Sequence, residues 1–236
     1  MKHSTDRILV SHAGNLPRPP HMEKVLREAN WNGTPEYAGM ISDGVNWIVN
    51  EQIACGVDVV NDGEYVKAGS FGGYIQSRVS GWENRPRNGS RGNKHAGVGA
   101  RDAKDFPGTF VSGLWLAGSG GPIRPGFPNG RGNQTNPATE RVCTGPVKYT
   151  GQAAIAADVA NLKAAIAGKP VEGFIAALGA YSTGAASWNE YYPSEEAYML
   201  AVAEALREEY KAITDAGLIL QIDEPQFCTT WQFHPD

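Results

Sequence analysis

The sequence predicts an α/β protein that forms part of a parallel β/α barrel. Short apolar runs typical of buried strands alternate with longer runs of helical periodicity, giving about five strand-then-helix units. Strands separated by helices imply right-handed crossovers and a parallel sheet. Polar and acidic residues follow several strands directly, which is where barrel enzymes place their chemistry. A doubly wound open sheet is the competing architecture, but no Gly-x-Gly-x-x-Gly follows the first strand, which counts against a dinucleotide-binding fold.

Turn-forming and capping residues bound the individual elements. Gly56 and Gly217 stand where a helix C-cap is expected. Ser194 is a natural N-cap, with two glutamates in the first turn behind it. The predicted strands cover residues 8–10, 57–60, 141–144, 171–178 and 218–222. The predicted helices cover residues 22–29, 41–54, 153–166 and 194–216.

One long stretch interrupts this alternation. Residues 82–139 are rich in Gly, Asn, Arg and Pro and show almost no helical period, apart from one convincing strand at 110–116. We expect a loop and hairpin insertion within a single barrel-type catalytic domain of residues 1–236, not a linker between domains. Loops of this length are uncommon and often act as lids over a site; a flexible surface insertion is the alternative.

Composition argues against several classes of function. A net charge of −4 offers no basic surface to a nucleic acid, and no apolar run approaches the roughly 20 residues that span a membrane. The N-terminus lacks the apolar core of a secretory signal. Three widely spaced cysteines fit a reducing cytoplasm better than a disulfide framework. No Cys-x-x-Cys or His-x-Cys spacing occurs, so the sequence predicts no self-contained zinc site.

Two acidic residues at strand ends are the strongest candidates for a functional site. Glu64 closes the turn that follows the second predicted strand. Asp223 ends the last predicted strand, and Pro225 turns the chain shortly after it. A carboxylate at this end of a barrel strand points into the mouth, and burying it without a partner is costly. The partner is either a cationic substrate group or, in the structural alternative, a helix N-terminus or a neighbouring Arg or Lys.

Two further residues are weaker candidates. His12 follows the first predicted strand and lies at the same end of the sheet. Lone histidines are more often structural residues than catalytic ones, so both roles stay open. Trp188 stands in the aromatic segment 187–192, where it either stacks on a flat heterocycle or packs against the following helix.

These strand-end motifs resemble the cobalamin-independent methionine synthase family. The similarity is to its C-terminal catalytic barrel and to shorter stand-alone relatives, which include epoxyalkane:coenzyme M transferases. It spans most of the chain except the Gly-rich excursion, and the segment that ends in Asp223-Glu224-Pro225 is the most specific match. The matching segments are Ser11-His12-Ala13-Gly14-Asn15-Leu16-Pro17-Arg18-Pro19, Gly56-Val57-Asp58-Val59-Val60-Asn61-Asp62-Gly63-Glu64, Lys169-Pro170-Val171-Glu172-Gly173 and Ala216-Gly217-Leu218-Ile219-Leu220-Gln221-Ile222-Asp223-Glu224-Pro225.

The resemblance implies a TIM-type barrel of the methionine synthase and uroporphyrinogen decarboxylase kind, incomplete here, and an activity. That activity is transfer of a methyl or other alkyl group to a small-molecule thiol activated by zinc. Glu64 and Asp223 would hold the ammonium of an amino-acid thiol such as homocysteine. His12 and Asn15 would lie near its carboxylate, and Trp188 near the ring of a methyl-folate donor. The implied enzyme resembles the methyltransferase that makes methionine from homocysteine and 5-methyltetrahydropteroyltriglutamate.

One departure from the family concerns the metal. The family's zinc ligands, a His-x-Cys pair, a Glu or Cys and a final Cys, all lie beyond the Asp-Glu-Pro motif, and this sequence has no such spacing there. We therefore expect a truncated or split member that holds no zinc ligand itself and needs self-association or a complementary C-terminal chain. An epoxyalkane:coenzyme M transferase-like enzyme, a non-catalytic fragment and a metal-free lyase of the uroporphyrinogen decarboxylase type are the alternatives. Neither the acceptor thiol nor the alkyl donor follows from the sequence.

Overall fold

The computed structural model describes residues 2–19, 22, 35–67, 71–86, 88, 139–185 and 187–228. The helices in these residues are α1 (Pro35–Ala54), α2 (Phe71–Gln76), α3 (Gln152–Ile166), α4 (Ala180–Gly184) and α5 (Glu195–Asp215). The strands are β1 (Val59–Asn61), β2 (Val79–Pro86), β3 (Thr139–Tyr149), β4 (Glu172–Leu178), β5 (Trp188–Asn189) and β6 (Ile219–Asp223). Short 3-10 helices cover Tyr65–Lys67 and Pro225–Cys228.

The chain divides into two compact units, and each combines segments that are distant in sequence. The first unit comprises Met1–Ala68, Gly151–Ala177 and Arg207–Asp223. The second unit comprises Gly69–Thr150, Leu178–Leu206 and Glu224–Asp236. The first unit therefore contains β1, β6 and all but the last residue of β4, and the second contains β2, β3 and β5.

The sheet of the first unit has the strand order β1-β4-β6 within the described residues. β1 and β4 run parallel, with Val60 opposite Gly173, as the helical connections predict. β4 is buried in every residue except its first, which is typical of a strand covered on both faces. A side chain at Gly173 would lie 3.0 Å from Ile166 and 3.1 Å from Leu218, so glycine lets these neighbours pack onto the strand.

Helix α1 buries one apolar face in the first unit and packs against α3. Ile41, Val45 and Ile48 are all buried and follow the three- and four-residue spacing of an amphipathic helix. The helix starts six residues before its predicted beginning, at Pro35, a residue whose fixed φ suits the first helical turn. Gly56 follows the helix with a φ of +83°, in agreement with its predicted role as C-cap.

Helix α5 begins and ends as the sequence predicts. The N–H of Ala197 donates to Ser194 Oγ over 3.1 Å, which satisfies one of the free donors of the first turn. Gly217 lies just past the last turn with a φ of +80°. The buried apolar residues of this helix are Tyr198, Val202, Ala205, Leu206 and Ile213.

The predicted strand at residues 8–10 is wrong, because this segment is irregular in the structure. It does run beside β1: the N–H groups of Asp58 and Val59 both donate to the carbonyl of Val10, over 2.9 and 3.1 Å. The N–H of Val10 donates to Asp58 Oδ2 over 2.8 Å, so a side chain replaces the backbone partner that a ladder needs. Ile8 is 85% exposed, which leaves this segment without the apolar burial of an inner strand.

The expectation that residues 141–144 belong to one parallel sheet of about five units is also wrong. These residues lie in β3, which belongs to a second sheet with the order β2-β3-β5. β3 pairs antiparallel with β2 and parallel with β5. The predicted strands at 57–60, 171–178 and 218–222 do share the first sheet. The described residues therefore form a mixed α/β structure with two small sheets and no closed barrel.

Several sequence predictions fall outside the described residues. These are most of the helix at 22–29, the strand at 110–116 and nearly all of the insertion at 82–139. The two ends of that insertion are held together, because Pro86 of β2 lies opposite Thr139 of β3. The single-domain assignment of residues 1–236 stays a prediction. In the described part of the chain, no helix combines the length and apolar character needed to cross a membrane.

Candidate functional site

Residues 61–64, here called the strand-end turn, begin at the last residue of β1 in the first unit and carry the acidic candidate Glu64. The N–H of Gly63 donates to Asn61 Oδ1 over 2.8 Å, and the N–H of Glu64 donates to Asp62 Oδ1 over 2.9 Å. These side chain–backbone bonds are the Asx-type interactions that stabilise tight turns. Gly63 has a φ of +69° and Glu64 a φ of +58°, so a glutamate occupies a left-handed position where glycine is ordinarily favoured.

Helix α1 holds the strand-end turn in place through Gln52. The Gln52 amide donates to the carbonyl of Asn61 over 2.8 Å and accepts its N–H over 3.0 Å. One buried side chain therefore satisfies both backbone groups of Asn61, as a neighbouring strand would. Because Gln52 bonds the backbone of Asn61, the Asn61 side chain is free to accept hydrogen bonds from the strand-end turn and from His12.

His12 binds the same asparagine. Its Nε2 lies 2.9 Å from Asn61 Oδ1. The N–H of Gly63, which can only donate, fixes this atom as an acceptor oxygen, so His12 Nε2 must carry the proton. The imidazole ring also packs on Phe174 of β4, with ring centroids 6.1 Å apart. The predicted site residue His12 therefore lies at the end of β1, in a single tautomer when neutral.

Three further hydrogen bonds connect the loop at residues 12–18 to the strand-end turn and to the residue after it. Asn15 Nδ2 donates to Glu64 Oε2 over 3.1 Å. The N–H of Leu16 donates to the carbonyl of Gly63 over 3.2 Å. The hydroxyl of the buried Tyr65 donates to the carbonyl of Pro17 over 2.6 Å. The structure thus brings the predicted residues His12, Asn15 and Glu64 together, with Asn15 bonded to the glutamate itself.

Glu64 is a buried carboxylate with an unsatisfied oxygen. Its residue is 3% exposed, and Oε1 has no hydrogen-bond partner among the described residues. Burial raises the pKa of Glu64 above its usual range; the charges of Asp62 and Asp223 raise it further, while Lys67 and the Asn15 hydrogen bond oppose the shift. The protein therefore holds a carboxylate whose ionised form would gain from a cation beside it.

Asp62 and Asp223 complete the acidic surroundings of Glu64. Asp62 is 2% exposed, and its Oδ2 has no hydrogen-bond partner in the described part of the chain. Asp223 is half-buried at the end of β6, where Gln221 donates to its Oδ1 over 3.3 Å. Because β1 and β6 flank β4 in one sheet, Glu64 and Asp223 come from the two outer strands, and Asp223 is close enough to raise the pKa of Glu64.

Trp188 belongs to the second unit. It lies half-buried on the short strand β5, opposite Val142 of β3. The nearby rings of Tyr191 and Tyr192 form an edge-to-face pair with centroids 5.0 Å apart. The hydroxyl of Tyr192 accepts the N–H of Val147 over 2.9 Å. Trp188 and Tyr192 therefore contact the second sheet, whereas Tyr191 is exposed, and a role for Trp188 toward a ligand stays a prediction.

Sequence reasoning did not assign Asp62, Asn61, Gln52 or Lys67 to the site. Asp62 and Asn61 had a signal, since Asn-Asp-Gly-Glu after a strand is a turn sequence whose side chains bond their own backbone. Gln52 gave no such signal, because its hydrogen-bond partner Asn61 lies nine residues away on another element. Lys67 is buried within a 3-10 helix and lowers the pKa of Glu64, an effect that residue order alone does not reveal.

The arrangement suits recognition of a positively charged group more than binding of a metal. Among the described residues, no group of three or more His, Cys, Asp or Glu side chains is arranged to hold a metal ion. These described residues therefore do not fit the zinc that the resemblance implies. An ammonium group, by contrast, carries several N–H donors and a positive charge, which matches buried carboxylate oxygens that lack donors.

Comparison with known proteins gives similarity at the level of fold. No family profile matches the sequence, and no curated protein matches it. A B12-independent methionine synthase from a Shewanella species, solved in complex with selenomethionine, matches 91% of this chain with a TM-score of 0.56 and 20% identity. A putative vitamin-B12-independent methionine synthase from Listeria monocytogenes matches 93% of it with a TM-score of 0.59 and 16% identity. This chain spans about half of each of those structures, 51% and 52%.

Proposed function

We propose that this chain binds an α-amino acid carrying a thiol or thioether and serves as the substrate-binding part of a thiol alkyltransferase. In this proposal the first unit forms part of an incomplete β/α barrel, and Glu64 accepts the ammonium of the ligand. The observation that carries it is the buried Oε1 of Glu64, which has no hydrogen-bond partner among the described residues. The fold similarity to methionine synthase structures supports the reaction class.

The energetic argument rests on the cost of leaving a buried carboxylate oxygen unsatisfied. An unmade hydrogen bond to a buried polar group costs about 1–3 kcal/mol, and more when the group is charged. Glu64 also holds a left-handed φ of +58°, a conformation that is unfavourable for a side chain with a Cβ. Unfavourable features of this kind persist where they are part of a binding mechanism. A ligand ammonium beside Oε1 offsets both the missing hydrogen bond and the cost of burying the negative charge.

The chemistry of the acidic residues favours an amino-acid thiol over coenzyme M as the acceptor. Homocysteine and methionine carry an ammonium group, whereas coenzyme M carries a sulfonate and no cationic group. Glu64, Asp62 and Asp223 together repel a sulfonate, because like charges close together are destabilising. One similar structure was solved with selenomethionine, an amino acid of the favoured class. The alkyl donor, methyl-folate or another carrier, stays open, and roles of His12 and Asn15 toward the ligand carboxylate belong to the same proposal.

Calorimetric titration of the full chain tests this proposal. We expect L-homocysteine, L-methionine and selenomethionine to bind, and the des-amino analogue of methionine, which keeps the thioether and carboxylate, to bind at least about tenfold more weakly. Glu64→Gln should weaken methionine binding by a similar factor, because the glutamine amide lacks the negative charge. Glu51→Gln, at an exposed position on α1, is the matched control and should change nothing. Equal binding of methionine and its des-amino analogue would sink the proposal.

A further inference from the structure

We infer that Asp62 is a third acceptor for the ligand ammonium, and that the site selects a primary ammonium over N-methylated ones. This inference rests on the proposed function and adds to it a residue and a substrate class. A primary ammonium has three N–H donors. Three carboxylates of the first unit surround the proposed ammonium position. Glu64 Oε1 and Asp62 Oδ2 are buried and have no hydrogen-bond partner among the described residues, and Asp223 is half-buried, with Gln221 donating to its Oδ1.

The burial of Asp62 is the first step of the argument. Its residue is 2% exposed, and the N–H of Glu64 donates to its Oδ1 over 2.9 Å, while Oδ2 has no donor among the residues that the structure describes. A turn needs only that one accepted bond, which an asparagine would provide equally well. The buried negative charge of Asp62 is therefore unnecessary for the turn itself and unfavourable without a cation.

The closeness of Asp62 to Glu64 is the second step. The hydrogen bond through the Glu64 N–H places the two residues in one tight turn, and the charge of Asp62 acts on the Glu64 carboxyl. Lys67 supplies one positive charge to this group. The cluster therefore holds three carboxyl groups, two of them buried and that of Asp223 half-buried, beside this one lysine. A ligand cation that reaches Glu64 Oε1 therefore enters a field to which Asp62 also contributes.

Selectivity for a primary ammonium follows from matching the number of donors to the number of acceptors. Each N-methyl group replaces one N–H donor with an apolar group and leaves one carboxylate oxygen unsatisfied. Hydrogen bonds to charged groups are stronger than neutral ones, so each lost donor should lower affinity at least about tenfold. Net charge is unchanged by N-methylation, so general electrostatic attraction alone predicts little difference between these ligands.

The experiment compares L-methionine, N-methylmethionine and N,N-dimethylmethionine by calorimetry on the full chain and on Asp62→Asn. Asparagine keeps an oxygen for the Glu64 N–H and replaces the other oxygen with an amide nitrogen. We expect the wild-type chain to lose affinity stepwise along the series. Asp62→Asn should lower the affinity for methionine at least about tenfold and reduce the loss of affinity that the first methyl group causes. Asp215→Asn, a carboxylate exposed on α5, is the matched control.

Thermal unfolding distinguishes a binding role of Asp62 from a structural one. We expect Asp62→Asn to have an unchanged or higher melting temperature, because it removes a buried charge while keeping the turn bond. A lower melting temperature with unchanged methionine affinity would overturn the inference. So would unchanged affinity along the N-methyl series. Either result leaves the proposed function standing if Glu64→Gln still lowers the affinity for methionine. If the chain binds methionine and its des-amino analogue equally well, both the inference and the proposed function are wrong.

Discussion

His12 Nε2 donates to Asn61 Oδ1 over 2.9 Å, and the N–H of Gly63 donates to the same oxygen over 2.8 Å. One amide oxygen therefore fixes both the shape of the strand-end turn and the protonation site of the imidazole. The backbone of Asn61 is bonded separately, through Gln52. A change in the Asn61 side chain should consequently affect the turn and His12 while leaving the backbone bonds to α1 intact.

Asn61→Ala should release His12 and weaken the turn. We expect the free energy of unfolding to fall by about 1–3 kcal/mol, because a buried acceptor of two hydrogen bonds is lost and its donors stay unsatisfied. In long-range proton–nitrogen correlation spectra at a pH where the ring is neutral, His12 should be protonated at Nε2 in the wild-type chain. It should be a mixture of tautomers in the variant. A wild-type ring protonated at Nδ1 would contradict the hydrogen-bond assignment.

Gly63→Ala should be more destabilising than Gly56→Ala. Both glycines have positive φ, +69° and +83°, so both alanines meet the backbone cost of a left-handed residue, about 1–2 kcal/mol. At Gly63 the added Cβ would also lie 2.6 Å from the ring of Tyr65, whereas at Gly56 nothing lies within 4 Å. Urea unfolding measures the loss of unfolding free energy in both variants, and the difference between the two losses is the contribution of the clash with Tyr65. Equal losses would show that Tyr65 moves aside without cost.

The parts of this fold that sequence predicts are those fixed by local patterns. The apolar run of β4 and the cap at Ser194 belong to this class, because each depends on neighbours within a few positions. The acidic strand ends were predictable for the same reason, since Glu64 and Asp223 follow buried runs directly. The sequence could not show that Glu64 is bonded by Asn15, because that contact joins residues 49 positions apart.

The wrong predictions share a physical cause, which is competition from a side chain or a distant strand. Residues 8–10 have strand propensity, but Asp58 takes the N–H of Val10 that a ladder would use. The pattern of a strand followed by a helix at 153–166 predicts that residues 141–144 join the parallel sheet, yet the partner of β3 is β2, which lies before a long insertion of irregular composition. Non-local pairing of this kind overrides local pattern, since propensity is only a weak guide to which strands meet.

Asp58 should make the stability of the first unit sensitive to acid. Its carboxylate binds the guanidinium of Arg7 and accepts the N–H of Val10, which lowers the pKa of Asp58 from 3.8 to about 2. A lowered folded-state pKa contributes stability that is present above 3.8 and is lost as the pH falls toward about 2. The difference in unfolding free energy between wild type and Asp58→Asn should therefore shrink over that window.

Urea unfolding at a series of pH values measures this difference. Asp215→Asn is the control, because its carboxylate is exposed and pairs with Lys211 one helical turn away. Its effect should stay small at every pH. A gap between wild type and Asp58→Asn that stays constant down to the lowest pH would refute the assignment of this ion pair as the cause.

Gly179 and Glu224 of the second unit should behave as one coupled pair. Both oxygens of Glu224 accept the N–H of Ser182 over 3.1 Å, and its Oε1 also accepts the Ser182 hydroxyl. A Cβ at position 179 would lie 2.1 Å from Glu224 Oε2. Gly179→Ala should therefore destabilise the protein mainly by pushing the glutamate off Ser182 at the start of α4. Replacing the glutamate itself removes the same interaction directly.

Double-mutant analysis tests that coupling. We expect Gly179→Ala and Glu224→Ala each to lower the unfolding free energy by about 1–3 kcal/mol, because a charge-assisted contact to Ser182 is lost in both. The double variant should lose clearly less than the sum, since the clash at position 179 disappears once the glutamate is gone. Strict additivity would mean that alanine at 179 acts through the backbone alone. In that case Glu224 would not be the reason that a glycine stands at this position.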